Sequence, residues 1–547
     1  MSPQLPDLPP LRAALLCATP LAYGLTALVS GLFVRSPRSG WQLARWSSAL
    51  AGLAALMSLA WFIAAGTGLM HSSVVFASGD TPVSLASVRS DAIGCTMLLL
   101  VSFIGWVIVG YSHTYLDGEH GQLRYIRGLT LTLASVSVLV ITNSLLMLVS
   151  AWIVTSLALH GLLTFFDRRP QALIAAHKKF LASRVADLFL LCGIGLLGSA
   201  LGTREIDQAM DAARALQPRP AVLDVAALLV AASALLKCAQ LPVHGWLIQV
   251  MEAPTPVSAL LHAGVVNLGG FLLIRLGTIV TDGQAAQALL VVVGSITAIV
   301  ASLVMTTRVS IKVSLAWSTC AQMGFMMMQC GLGLLELALL HLVAHSLYKA
   351  HAFLSAGGAV EQNRLQQMTP SAPAQSLGAW MIGGVAGAVL VSGAAWLWGL
   401  RPGLEPQLWA MAGIVSLALA PLLAGRVLPA NGIARWGALL AAFAVAVTYF
   451  GLHVAFGRWL GAQPSDAARS PILIYWVLGC FCLLFVVQGT VRTRPHGALA
   501  RALYPTLFSG LYLDELFTRL TFRIWPARLP PANRGGMSPP IQSGGQS

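Results

Sequence analysis

Two lysines interrupt otherwise apolar stretches of this 547-residue chain, and they are the first sign of chemistry. Lys237 follows the apolar run Leu223–Leu236 and precedes Pro242, which lacks the amide that a continuous helix needs. Charge inside a bilayer is rare unless it is paired or used, and carbonyls freed at a helix break can bind a cation. Because desolvation disfavours the charged amine, Lys237 is a candidate carrier of a proton or another cation. The alternative is a lysine whose amine reaches the membrane surface.

The second lysine belongs to a regular pattern. His341, His345 and Lys349 follow one another at intervals of four residues, which places them on one face of a helix. Histidine titrates near neutral pH and can pass a proton in either direction, so this pattern is typical of a proton relay. The alternative is a set of core histidines that hydrogen-bond to neighbouring carbonyls.

Further candidates lie close to these two patterns. Pro254 and Pro256 predict a helix start, and His262 follows about two turns later, where it can connect Lys237 to the second pattern. Asp187 is the candidate counter-ion of Lys237, and His160 is a weaker polar candidate.

Other kinds of site find no support in the sequence. The helical histidines lack the glutamate of H-E-x-x-H, the eight cysteines form no C-x-x-C, and no G-x-G-x-x-G follows a strand. We therefore expect no metal site, no cofactor and no catalytic residue, and a chain that transports rather than catalyses.

Transmembrane helices are the elements that must position these residues. The chain is 57% hydrophobic and 10% charged, whereas a soluble domain has about 25% charged residues. Segments long enough to cross a bilayer predict an all-α polytopic membrane protein with about 14–16 spans. The segments are Leu15–Val34, Trp46–Gly66, Asp91–Ser112, Gly128–Thr142, Leu145–Phe166, Phe180–Gly202, Val222–Leu241, Val257–Val280, Leu289–Thr306, Ile311–Leu332, Leu335–Val360, Leu377–Trp398, Leu408–Leu428, Trp436–Val454 and Ile472–Val487.

The net charge of +14 is explained by membrane orientation. With the N-terminus periplasmic and the C-terminus cytoplasmic, most basic residues fall in cytoplasmic loops, as they do in multi-pass proteins of the bacterial inner membrane. No basic stripe with interleaved aromatic residues is present, so nucleic acid is not an expected partner.

Five regions follow from this pattern. We expect N-terminal transmembrane helices over 1–90, the core that carries the polar residues over 91–360, and C-terminal transmembrane helices over 361–492. Residues 493–525 form an amphipathic segment that can bind a partner or lie on the membrane, and the Pro/Gly/Ser-rich residues 526–547 are expected to be disordered.

Several motifs resemble the antiporter-like subunits of respiratory complex I, and above all its subunit 5, or chain L. They are Leu236–Pro242 with Trp246, Ala253–Ala263, Ser314–Thr319 and His341–Ala350, within a similarity that runs from Asp91 to Gly358 and returns near Tyr512–Asp514. The resemblance implies the antiporter-like fold, a bundle with broken helices around a hydrophilic axis. It makes Lys237 the central lysine, assigns the relay to His262, His341, His345 and Lys349, and matches Arg184 and Asp187 to an Arg-x-x-Asp motif.

The sequence also departs from that pattern. The family has a glutamate after the tryptophan that is Trp152 here, whereas this chain has Ile153, and His160 is a possible substitute. No lysine follows Lys349, so the exit lysine has no counterpart. The long lateral helix and the last span of subunit 5 have no counterpart either, so a role within complex I is not expected.

This combination is similar to the stand-alone membrane subunits, called DabB, of DAB-type inorganic-carbon accumulation complexes. The resemblance implies a soluble zinc-binding partner, like a β-carbonic anhydrase (the DabA type), on the cytoplasmic face. Proton flow would then drive the uptake of CO₂ or bicarbonate. The alternatives are a proton-pumping subunit of a complex I-like NADH-quinone oxidoreductase and a cation/proton antiporter subunit.

Overall fold

Helices make up nearly all of this computed structural model, which describes residues 9–65, 72–77, 82–166, 169–216, 218–358, 361, 364, 368, 376–400, 406–426, 432–461 and 470–525. Within these ranges, twelve helices are long and apolar enough to cross a membrane. The expected disordered tail, 526–547, lies outside the described residues.

The first half of the chain pairs each long helix with its neighbour, apart from one short hairpin. Its elements are α1 (Pro9–Leu32), α2 (Pro37–Ala65), β1 (Ser72–Ala77), β2 (Pro82–Val88), α3 (Ala92–Tyr115), α4 (Gln122–Ile141), α5 (Leu145–Leu163), α6 (Pro170–Leu201), α7 (Ile206–Ala215), α8 (Ala221–Lys237), α9 (Gly245–Gln249) and α10 (Thr255–Ala263). Strands β1 and β2 are antiparallel, and Ser72 pairs with Val88.

The second half completes the bundle and ends in two amphipathic helices. Its elements are α11 (Leu268–Arg275), α12 (Gly277–Thr281), α13 (Gln284–Met305), α14 (Ile311–Gly331), α15 (Leu335–Leu354), α16 (Leu377–Leu397), α17 (Pro406–Arg426), α18 (Gly432–Leu460), α19 (Pro471–Thr493), α20 (Ala498–Phe508) and α21 (Leu513–Ile524). One large apolar core joins α1–α15, and a second joins α13–α15 to α16–α19.

Every predicted span coincides with a helix, or with α10–α12 in the case of Val257–Val280. The three that are not among the twelve apolar spans are α8, α14 and α15. Helix α8 has only 17 residues, and α15 carries the histidines and Lys349. The polar residues that drew attention in the sequence are thus also what makes α15 less apolar.

The short turn between α4 and α5 is fixed by polar contacts. Ser144 caps α5 by accepting a hydrogen bond from the Met147 amide. The Asn143 side chain donates to Glu205 at 2.8 Å and to Asp207 at 2.7 Å. A turn of this length therefore joins two separate helices, as the sequence predicted.

A buried ion-pair network lies at the same end of the bundle. Asp91 caps α3 through the Gly94 amide and pairs with Arg89 at 2.9 Å and with Arg275 at the end of α11. Arg275 also donates to the Val140 carbonyl at 2.7 Å. These contacts join α3, α4 and α11, so they hold this end of the bundle together.

Two helix breaks lie next to the predicted site. The backbone turns after α8, where Ala239 has φ of +52° and the Leu241–Pro242 peptide is cis. Pro254 and Pro256 begin α10, which ends at Gly264 before one 3₁₀ turn and α11. The three prolines thus lie at helix breaks or starts, as predicted.

Close helix contacts keep this region rigid. Helices α13 and α14 touch at Gly294 and Gly324, where a Cβ on Gly294 would lie 2.6 Å from the Gly324 carbonyl oxygen. Only glycine permits this approach, so the two backbones pack without side chains between them.

Candidate functional site

Lys237 is the last residue of α8, and its exposed fraction is only 4%. Its Nζ lies 4.2 Å from the centre of the Trp152 ring and donates a hydrogen bond of 3.5 Å to the Trp152 carbonyl. The break after α8 therefore turns the amine toward α5, inside the bundle. The alternative, in which the Lys237 amine reaches the membrane surface, does not fit this position.

A carboxylate and a second lysine surround Lys237. Asp187 on α6 lies near enough to Lys237 for their charges to interact, and it pairs with Arg184 at 2.5 Å. Lys179, two turns earlier on α6, donates to the carbonyl of Ser156 at 2.6 Å and to its hydroxyl at 2.9 Å. Its charge also acts on Lys237 and Asp187. We call Lys179, Arg184, Asp187 and Lys237 the lysine cluster.

The predicted face of α15 forms a second group. The Nδ1 atom of His341 lies 3.1 Å from Oε1 of Gln329, and the ring centres of His341 and His345 are 5.9 Å apart. Lys349 is fully buried, and its Nζ donates to the Leu315 carbonyl at 3.1 Å. The three side chains therefore follow one another along α15, as their spacing predicted.

His262 joins this group from α10. Its ring stacks on Phe353 with centres 4.4 Å apart, and it lies in electrostatic range of Lys349 and His345. Among the described residues, both ring nitrogens of His262 and of His345 lack a hydrogen-bond partner. We call His262, His341, His345 and Lys349 the histidine cluster.

Polar groups also surround the break after α10. The Asn267 side chain donates to the Ser346 hydroxyl at 2.7 Å and to the Ala263 carbonyl at 3.1 Å. Both residues line a cavity of about 20 Å³ that also touches Gly264. The rest of the cavity lining is almost wholly apolar, so it offers a water molecule few partners and adds no proton carrier at this break.

The structure places the predicted residues in two groups. Lys237 and Asp187 belong to the lysine cluster, and the described contacts do not join Lys237 directly to His262. His160 lies at the edge of the lysine cluster, within electrostatic range of Lys179, and its ring lies 5.1 Å from Phe180 and 6.4 Å from Trp525. Its position as a substitute for the family glutamate stays a prediction.

Sequence reasoning missed the contacts of the C-terminal helices. Asp514 on α21 accepts two hydrogen bonds of 2.9 Å from the buried Lys178 and one of 2.8 Å from Gln249 on α9. It also lies against Gly245, where a Cβ would overlap its carboxylate. The amphipathic segment is thus anchored to α6 and α9, directly behind the lysine cluster.

Lys178 and Lys179 also escaped notice as site residues, because a pair of basic residues near a span end resembles a cytoplasmic loop. Both are buried, with Lys178 facing α21 and Lys179 facing α5. Consecutive residues of a helix point about 100° apart. Extending the predicted helix back from Phe180 to Pro170 would have placed both lysines inside a helix and could have identified them.

The two clusters are suited to proton exchange. Each cluster contains lysine or histidine nitrogen atoms that can gain or lose a proton without breaking any other bond. The lysine cluster gathers two lysines and an arginine around one carboxylate, where close like charges in a low dielectric oppose full protonation. Among the described residues, no group of histidine, cysteine, aspartate and glutamate could hold a metal ion.

Two family models match this chain. The model described as NADH:quinone oxidoreductase/Mrp antiporter, transmembrane, covers residues 142–374, which hold both clusters. The model described as NADH-ubiquinone oxidoreductase (complex I), chain 5 N-terminus, covers residues 76–126.

Two curated relatives are similar over nearly their whole length. The probable inorganic carbon transporter subunit DabB of Hydrogenovibrio crunogenus is 39% identical over 504 residues, or 91% of this chain and 93% of that protein. The probable inorganic carbon transporter subunit DabB2 of Halothiobacillus neapolitanus is 38% identical over 547 residues, or 96% and 98%.

A solved structure shares the fold. A chain of the Mrp complex from Dietzia sp. DQ12-45-1b superposes with a TM-score of 0.64 and 24% identity. The match covers 93% of this chain and 59% of that one.

Proposed function

Because this chain belongs to the DabB family of probable inorganic carbon transporter subunits, we propose that it conducts protons through its buried lysines and histidines to drive inorganic-carbon uptake. The observation that supports this proposal most strongly is the burial of the Lys237 amine inside the bundle, within electrostatic range of Asp187. A charged group in a membrane-spanning bundle costs several kcal/mol unless it is paired or used. Exchange of a proton is the use that repays this cost.

The lysine cluster supports loading and release. The ion pair between Arg184 and Asp187 offsets the negative charge of the carboxylate. Lys179 places a second buried amine within electrostatic range of Lys237 and Asp187, so two amines share one carboxylate. The aromatic face of Trp152 stabilises the loaded form of Lys237.

The histidine cluster supplies the relay. Neutral imidazole donates from one nitrogen and accepts at the other, so a histidine without fixed partners can pass a proton in either direction. His262 and His345 meet this condition among the described residues, and His341 and Lys349 extend the line along α15.

The partner in this proposal is a soluble zinc-binding protein, like a β-carbonic anhydrase, on the cytoplasmic face. The chain would sit in a bacterial inner membrane with its N-terminus periplasmic, which is the orientation that puts most basic residues inside. Helices α20 and α21 supply the docking surface. These helices and the turn between them keep exposed apolar side chains even though Asp514 anchors them to the bundle, and these are Tyr504, Tyr512, Leu516, Leu520 and Ile524.

The Mrp-antiporter family model and the Mrp-like fold favour a second function, cation/proton antiport or proton pumping in a complex I-like oxidoreductase. The protein that co-purifies with the chain distinguishes the two. A zinc-binding soluble partner supports inorganic-carbon uptake, whereas quinone-reductase subunits or other antiporter subunits support the second function.

The direct test replaces Lys237 with alanine. We expect Lys237→Ala to abolish proton-dependent inorganic-carbon uptake in cells while the complex still assembles, since the side chain donates only to one carbonyl. Arg38→Ala, which removes an exposed cation from α2, far from the docking surface in sequence, is the control and should leave uptake unchanged. Normal uptake by the Lys237 variant would refute the proposed function.

A further inference from the structure

One face of α5 runs from the lysine cluster to the end of the helix. Trp152, Ser156 and His160 are spaced four residues apart, so they lie above one another along this face. At a rise of 1.5 Å per residue the face spans about 12 Å. His160 lies in the last turn of α5.

Each position on this face meets a different titratable side chain. Trp152 contacts Lys237, and Ser156 accepts two hydrogen bonds from Lys179. His160 lies in electrostatic range of both Lys179 and His177. The titratable groups therefore form a sequence from Lys237 through Lys179 to the two histidines.

Trp525 covers the outer end of this sequence. His177 stacks on the Trp525 ring with centres 4.1 Å apart and planes 10° apart, and Phe180 packs against it at 5.4 Å. His177 is half-buried, so it lies between the bundle interior and the surface. Trp525 thus packs over the outermost of these titratable groups.

Resting on the proposed function, we propose that Lys179, His160 and His177 form an access branch through which protons move between Lys237 and the end of the bundle covered by Trp525. The proton moves from an imidazole nitrogen to the Lys179 amine and from there to the Lys237 amine, and each transfer leaves its donor neutral. Lys179 is suited to this step because its buried amine contacts α5 and lies within electrostatic range of the other three members of the lysine cluster.

The rival explanation is structural, since the two hydrogen bonds of Lys179 also tie α6 to α5. Arginine distinguishes the two roles. Lys179→Arg keeps a cation and several donors, yet arginine does not release its proton in proteins. A structural anchor is rescued by arginine, whereas a proton carrier is not.

The experiment measures proton flux in proteoliposomes that contain the full chain with its co-purified partner, a fixed membrane potential and a pH-sensitive dye. We expect both Lys179→Met and Lys179→Arg to lower the flux roughly tenfold or more, a conservative figure beside the roughly 10²–10⁴-fold contribution of a positioned acid or base. His160→Gln should lower it in the same direction. His120→Gln, which removes an exposed histidine from the loop after α3 at the same end of the bundle, should leave it unchanged.

The outcomes separate the two proposals. Wild-type flux in Lys179→Arg, with a loss only in Lys179→Met, makes Lys179 an anchor and overturns the branch. Wild-type flux in both Lys179 variants, with a loss in Lys237→Ala, overturns the branch and leaves the proposed function standing. If Lys179→Met does not assemble, His160→Gln decides, and its normal flux overturns the branch. Unchanged flux in Lys237→Ala overturns the proposed function and the branch with it.

Discussion

Lys349 closes the histidine face of α15, where its amine is buried and donates to the Leu315 carbonyl. We expect Lys349→Met to lower proton flux roughly tenfold or more, since it removes the last titratable group of the relay but keeps an apolar side chain of similar length. The measurement is dye-detected flux in proteoliposomes.

His351 offers the matched control for this prediction. It lies two residues further along α15 and is exposed, off the face that carries the cluster. His351→Gln should therefore conduct like the wild type. A Lys349→Met protein with full flux would show that the relay does not pass through this amine.

At the residue scale, the sequence predicted the side chains that are alone in apolar runs. Lys237 and Lys349 could be found because a lysine within a span is conspicuous, and the spacing of the histidines fixed their common face. Lys179 could not be found, because it lies beside Lys178 near a span end and only the helix phase separates their directions. Which atoms touch, such as Lys179 and Ser156, depends on tertiary packing that spacing alone does not specify.

At the element scale, the ion-pair network around Asp91 links the start of α3 to the end of α11. Burial raises the pKa of the Asp91 carboxyl, but Arg275, Arg89 and the Gly94 amide outweigh it and hold the pKa below its usual range. The pKa is thus lower in the folded state than in the unfolded chain. The resulting stabilisation is present above the unfolded value of about 3.9 and is lost as the pH falls through the folded value.

Two measurements follow from this network. We expect Asp91→Asn to destabilise the protein by about 3–5 kcal/mol at neutral pH, because it leaves the buried Arg275 without its carboxylate. The apparent Tm of the detergent-purified chain should fall, whereas Asp117→Asn in the exposed loop after α3 should not change it. The Tm difference between wild type and Asp91→Asn should shrink below about pH 4. An equal difference at all pH values would contradict the ion-pair explanation.

The anchor of α21 gives a second prediction at this scale. Asp514→Asn removes the charge that compensates the fully buried Lys178, so we expect faster hydrogen exchange across Leu513–Ile524. Glu515→Gln is the neighbouring control, because Glu515 makes only an exposed pair with Arg519, and such pairs contribute little. Equal exchange in both variants would mean that the segment is held by its apolar contacts alone.

The elements themselves were largely predictable. A span needs about 20 apolar residues, so hydropathy located the long helices. The hairpin β1–β2 was missed, because its residues were assigned to a loop between spans. The prolines indicated the regions of the breaks at Ala239 and Gly264 but not the backbone conformation there. That conformation depends on which groups of neighbouring helices form hydrogen bonds with the backbone left unpaired at the break.

At the scale of the whole molecule, the proposed docking surface can be tested without disturbing the bundle. Leu516 and Leu520 are 79% and 52% exposed on α21. The double variant Leu516→Glu with Leu520→Glu should abolish co-purification of the soluble partner, because it puts two charges into an apolar interface. The chain should keep its wild-type elution volume in size-exclusion chromatography. Retention of the partner would place the interface elsewhere.

Lys178 and Lys179 are adjacent in the chain, yet Lys178 binds Asp514 of α21 whereas Lys179 binds Ser156 of α5. The two residues belong to one turn of α6, so a displacement of that turn moves the attachment points of both side chains together. A partner that displaces α21 would therefore also move this turn of α6 and change the position of Lys179 relative to Ser156. Binding at the surface would then change the protonation of Lys179, a residue that the bound protein does not contact.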